Sequence, residues 1–237
     1  MKNIAIMFVL VLTIISCSEK QNPQKESEEV TMLKEKIAKF VPVEITYDEA
    51  LLTDREKVVL EKLYRASKII DELFLEQVYI ENYQIKSDLI SKTANKSILE
   101  REPELKPQLE LFNIMFGPFD RLEDNKPFIG KNTKPLGANF YPVDMSKEEF
   151  EKWIKDNPAD EKTFTSEFTI IRRDNGKLVA IPYSEYFKDK LTAASNLLKE
   201  AAEYSDNPSL KKYLLSRANA FLSNDYYQSD MDWMDLK

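Results

Sequence analysis

Cys17 is the single cysteine of this 237-residue chain, and it closes the stretch Ile14-Ile15-Ser16-Cys17. A thiol directly after a small residue can take a diacylglycerol, and once the preceding peptide bond is cut the new amino terminus can take an acyl group, which together anchor a protein stably. The residues before it suit that chemistry: Lys2 gives a basic start and Ile4 to Ile15 are apolar. That run is about 12 residues, too short for a spanning helix, which needs roughly 20. Residues 1–16 therefore read as a lipoprotein signal peptide and Cys17 as the lipidation site. The expected location is the periplasmic side of a bacterial outer membrane, since Ser18 rather than an aspartate follows the lipidated residue.

Two other places could do chemistry. Ser209-Leu210-Lys211-Lys212 has the Ser-x-x-Lys spacing of penicillin-binding enzymes, with Ser205-Asp206-Asn207 just before it. In those enzymes the Ser-Asp-Asn element lies well downstream and a Lys-Thr-Gly strand is also needed, and that strand is missing. Asn207 as a helix cap with Pro208 at the first helical position accounts for the same residues. Asp225, Asp230, Asp232 and Asp235 could in principle give oxygen ligands to calcium or magnesium. They lack the central glycine and closing glutamate of an EF-hand, so a solvated acidic face is the expectation. No catalytic and no metal-binding residue is assigned, and the substrate-binding residues stay unknown.

Composition removes further classes. The chain has no histidine, so an ordinary zinc site cannot be built from it once Cys17 is lipidated, and serine or cysteine nucleophiles lose their usual base. Four glycines, at 117, 130, 137 and 176, cannot assemble a phosphate-binding loop or a dinucleotide fingerprint. A net charge of −7 without a basic, aromatic-interleaved stretch argues against nucleic acid. No cofactor is expected on this chain.

The elements follow from capping and periodicity. Residues 17–29 are polar and aperiodic, a flexible tether, and residues 30–237 are the folded part. Thr53-Asp54-Arg55-Glu56 is a capping box before Val59, Leu63, Ala66, Ile70 and Leu73, which predicts a long helix running to residue 92. Pro103 and Pro107 bracket a short helix toward Met115, and residues 117–145 are an ordered irregular region. Ser146-Lys147-Glu148-Glu149 is a second capping box, for a helix ending near Asn157-Pro158. Phe168 to Arg173 and Lys177 to Pro182 flank Asn175-Gly176, a hairpin signal. Two more helices, through Phe187 to Ala201 and Leu210 to Phe221, are expected to pack antiparallel. Phe112, Phe116, Phe119, Phe140 and Tyr141 are assigned to the core. The fold class is mainly α with a small β-hairpin, a multi-helix lobe.

Four stretches carry a resemblance: FGPFDRLEDNKPFIG at 116–130, KPLGANFYPVDM at 134–145, IPYSEYFKDKL at 181–191, and the run from Asn207 to Lys237. From about Asp71 onward the chain resembles the amino-terminal half of bacterial zinc-dependent hydrolases of the dipeptidyl peptidase III family. The resemblance implies a lobe beside a peptide cleft. Family members hold zinc with an HExxGH helix and a later glutamate, and remove dipeptides from peptide amino termini. Without histidine none of those ligands can be carried over, and the motif is expected in a part of the family's chain beyond the position matching Lys237. The sequence thus reads as the zinc-ligand-free portion of a membrane-anchored metallopeptidase, inactive by itself, whose partners would be the membrane, through the lipid on Cys17, and a peptide or a complementary catalytic chain. The alternative is a stand-alone helical lipoprotein that binds a peptide or a protein.

Overall fold

A computed structural model describes residues 26–237. The expected signal peptide, Cys17 and the expected tether up to residue 25 lie outside the described residues. The tether boundary moves inward, because Ser27 caps the first helix by accepting from the Val30 amide at 3.2 Å, and Glu28 and Glu29 form its first turn. Carboxylates there favour the positive end of the helix dipole.

In chain order the helices are α1 (Glu28–Ile37), α2 (Asp54–Val78), α3 (Asn82–Thr93), α4 (Lys96–Leu99) and α5 (Leu105–Met115). After them come α6 (Lys147–Asp156), α7 (Glu161–Phe164), α8 (Tyr183–Tyr186), α9 (Lys188–Tyr204), α10 (Pro208–Ser223) and α11 (Tyr227–Met234). Two antiparallel hairpins interrupt them: β1 (Phe119–Asp120) with β2 (Lys126–Pro127), and β3 (Thr169–Asp174) with β4 (Lys177–Pro182). The fold is a helix-dominated α+β arrangement, as its patterning predicted. No helix among the described residues is long and apolar enough to cross a membrane.

The spine is α2. Thr53 and Glu56 make the full reciprocal capping box at its start. Val59 and Ala66 then bury against Leu197, Leu198, Ala201 and Ala202 of α9 and Leu214 and Ala218 of α10. The alanines let three helices approach closely, and the Ser195 hydroxyl donates to the Ala218 carbonyl at 2.8 Å across the α9–α10 pair. Asn207 caps α10 by accepting from the Ser209 and Leu210 amides, with Pro208 at the first position. Further along α2, Leu73 enters a cluster with Ile170, Phe187 and Leu191, and Leu75 one with Leu89, Leu105 and Phe112.

The long helix does not run to residue 92. It stops at Val78, Tyr79 is extended, and α3 begins at Asn82. The cause is tertiary: the fully buried Asn82 side chain donates from Nδ2 to the Leu75 carbonyl at 2.8 Å and to the Phe116 carbonyl at 3.1 Å. Gly117, just beyond, has φ +152°, and a Cβ there would sit 3.1 Å from Asn82 Oδ1. Glycine is thus required both by the dihedral and by the close approach.

The region 117–145 holds a hairpin that sequence patterning missed, because each of its strands is two residues long. It ties α1 to the body. Asp120, buried in β1, pairs with Lys36 of α1 at 2.6 Å, and Lys36 also reaches Glu123 at 2.7 Å. Burial alone would lower the pKa of the Lys36 ammonium and raise that of Asp120, yet the mutual hydrogen bonds outweigh it and move both the other way. The second hairpin turns at Asn175 and Gly176, both at positive φ, as the Asn-Gly pair predicted.

Substituting Asn82→Ala strands two buried carbonyls, so it is expected to destabilise the chain by about 2–3 kcal/mol. Urea unfolding of both proteins reads this, and equal midpoints would contradict the role given to Asn82.

Candidate functional site

The stretch 134–145 is irregular but fixed at both edges. Asn139, buried, donates its backbone amide to the Gln77 carbonyl at 3.0 Å and its Nδ2 to the Glu76 carbonyl at 2.9 Å. On the other side the Arg172 guanidinium donates to Asn139 O at 3.0 Å, Asn139 Oδ1 at 3.1 Å, the Tyr186 hydroxyl at 3.0 Å and the Ile171 carbonyl at 2.8 Å. It also lies over the Tyr186 ring, 4.8 Å from its centroid. All four acceptors are uncharged oxygens, so the fork of donors sets geometry rather than neutralising a carboxylate. The Ile171 amide completes the attachment by donating to Phe140 O at 2.8 Å.

Beside this clamp lies an apolar recess of about 240 Å³ lined mainly by Leu136, Tyr141, Pro142, Val143, Met145 and Phe150. Leu136 and Val143 face solvent, while Tyr141 packs edge-on to Phe150 with ring centroids 5.6 Å apart. Gly137 is what permits it, since a Cβ would stand 2.6 Å from the Tyr141 ring. The floor belongs to the cluster of Phe164, Ile171 and Leu178. Arg173 braces the rim, bonding Glu149 at 2.7 Å and Asp144 at 3.1 Å. Those bonds hold the Arg173 guanidinium above and both carboxyls below their ordinary values. The same pairing explains why the capping box at Ser146 is half made: Ser146 accepts from the Glu149 amide, but the Glu149 carboxylate is engaged by Arg173.

Chemically the recess offers apolar contact area, with no nucleophile and base in contact among its lining residues. A second recess of about 330 Å³ lies between α2, α3 and α5. It is lined by Lys68, Asp71, Glu72 and Lys86, of which Lys68 and Asp71 pair at 3.2 Å.

The acidic residues near the carboxyl terminus do not converge. Asp232, buried, pairs with Lys212 at 2.8 Å, and Asp230 pairs with Arg217. Asp225 accepts from the Tyr227 amide. Lys212 first, with Ser216 and Gln228, holds the Asp232 carboxyl down to about 2. Among the described residues no group of three potential ligands is placed to hold a metal. Ser209 donates to Asn207 Oδ1 at 2.8 Å as part of the α10 cap and accepts from the Lys237 backbone amide at 3.2 Å, and among the described residues no lysine ammonium bonds its hydroxyl. Phe112 and Phe119 are core as expected, whereas Phe140 and Tyr141 are half-buried, Phe140 stacking on Tyr183 and Tyr141 serving both floor and recess. Sequence reasoning missed Asn139 and Arg172, because their partners lie far away in the chain and nothing local marks them.

No protein-family profile matches the chain. The solved structure of dipeptidyl peptidase III from Caldithrix abyssi is 59% identical with a TM-score of 0.80, over 86% of this chain and 37% of that one. Dipeptidyl-peptidase III from Corallococcus sp. strain EGB is 39% identical with a TM-score of 0.80, over 88% of this chain and 38% of that one. Nudix hydrolase 3 of Arabidopsis thaliana is 31% identical over 254 residues, 86% of this chain and 32% of that protein. The chain thus spans about a third of the length of each of these relatives.

Arg172→Lys keeps the charge and loses the fork. It is expected to speed hydrogen exchange at the Asn139 amide several-fold and to lower stability by about 1–2 kcal/mol. Unchanged exchange across 134–145 would contradict the clamp.

Proposed function

We infer from the likeness to bacterial dipeptidyl peptidase III over most of this chain that residues 26–237 form a lobe of a zinc peptidase of that type. The lobe shapes a peptide-binding surface while the zinc ligands come from polypeptide outside the stretch matched here. The observation that carries this reading is the 59% identity to the Caldithrix abyssi structure at a TM-score of 0.80. It is supported by the position of KPLGANFYPVDM, clamped by Asn139 and Arg172 around an apolar recess. The absence of histidine from the sequence leaves this chain unable to supply the HExxGH ligands, so by itself it is read as inactive.

The test is complementation. This chain, mixed or co-expressed with the part of the Caldithrix abyssi enzyme that it does not match, is expected to release dipeptides from a peptide amino terminus. That activity should disappear with a chelator and exceed that of either part alone. A mixture no more active than its parts would contradict the reading.

The second element of the proposal is an anchor on Cys17, supported by Ser16-Cys17 at the end of a short apolar run. Mass spectrometry of the mature amino terminus is expected to find a diacylglyceryl-modified Cys17. A mature chain that starts elsewhere would remove the anchor and leave the peptidase reading standing.

A further inference from the structure

Between Phe40, which packs with Leu33, Leu111 and Met115, and the 3-10 turn at Glu49–Leu51, residues 41–48 carry neither helix nor strand pairing. Their sequence is Val41-Pro42-Val43-Glu44-Ile45-Thr46-Tyr47-Asp48. From Val43 to Asp48 apolar and polar side chains alternate, the period of a half-buried β-strand, with Val41 in phase before Pro42; valine, isoleucine, threonine and tyrosine all favour strands. Yet the apolar side is open: Val41 is 81% exposed, Val43 78%, Ile45 91% and Tyr47 57%. A strand of this composition left unpaired is an invitation to edge pairing, which folded proteins normally cover. The two hairpins among the described residues are each two-stranded and do not include it.

The edge is also one-sided. In a strand, alternate residues direct their N–H and C=O groups to opposite edges. Pro42 lacks an N–H, so the edge of residues 42, 44 and 46 is defective, whereas that of residues 41, 43, 45 and 47 is intact. In the matched structures the larger part of the chain lies outside the portion this chain covers, 37% and 38% being matched.

We propose that residues 41–47 form a β-strand that pairs, through the backbone edge of Val43, Ile45 and Tyr47, with a strand from the remaining part of a dipeptidyl peptidase III-type polypeptide. The apolar face of Val41, Val43, Ile45 and Tyr47 is buried in that union. The inference rests on the proposed function and adds the segment by which the lobe is joined to its catalytic counterpart.

Amide hydrogen exchange of the whole chain, alone and with the unmatched part of the Caldithrix abyssi enzyme, tests it. In the complex the amides of Val43, Ile45 and Tyr47 are expected to slow by about tenfold or more while those of Glu44 and Thr46 stay fast. Because residues 45 and 46 are exposed, proline there leaves the lobe folded. Ile45→Pro is expected to weaken the complex by about tenfold, and Thr46→Pro to leave it intact. A complex in which residues 43, 45 and 47 still exchange fast overturns the strand but not the functional reading. Failure to form any complex overturns both. Protection that grows with the concentration of this chain alone makes a second copy the occupant and overturns the proposal.

Discussion

The last turn of a helix leaves four carbonyls without partners inside it, and in α2 three of them in succession are taken by asparagines. Asn82 donates to the Leu75 carbonyl from its side chain, and Asn139 donates to Glu76 from its side chain and to Gln77 from its backbone. Each asparagine also belongs to a different part of the molecule. Asn82 holds the Phe116 carbonyl and so places the end of α5 and the Gly117 turn. Asn139 is gripped by Arg172 of β3, which places the recess and the second hairpin. Buried polar groups of this kind stabilise modestly when satisfied and are expensive to break, which favours one arrangement over its alternatives.

The apolar contacts reinforce that junction. Successive buried residues of α2 face different clusters: Val59 and Ala66 the α9–α10 pair, Leu73 the aromatic cluster under β3, Leu75 the α3–α5 group and Val78 the β1 region. A single helix thereby joins bodies that would each be small alone. Surface ion pairs such as Arg55–Asp206 add little by comparison, being open to solvent.

What could be read from the sequence was local. The Thr53 box, Asn175-Gly176 and Asn207-Pro208 each specify a conformation through their own backbone chemistry, and each element stands where they indicate. The break at Tyr79 was illegible because apolar periodicity continues through it, and Asn82 ends the helix by bonding 34 residues ahead. The same holds for Lys36 with Asp120, 84 residues apart, and for Arg172 with Asn139. One signal was local and still overlooked, the alternation of exposed apolar and polar residues at 43–48.

The resemblance drawn from four sequence stretches is matched by structures at 59% and 39% identity, each covered by this chain over little more than a third of its length. The proposed reading therefore separates shape from chemistry: this chain supplies a clamped loop and its recess, and zinc would belong to polypeptide outside it. The most direct check is the zinc content of the purified chain after equilibration with the metal and removal of the excess. The account predicts far less than one zinc per chain, and stoichiometric, tightly held zinc would contradict it.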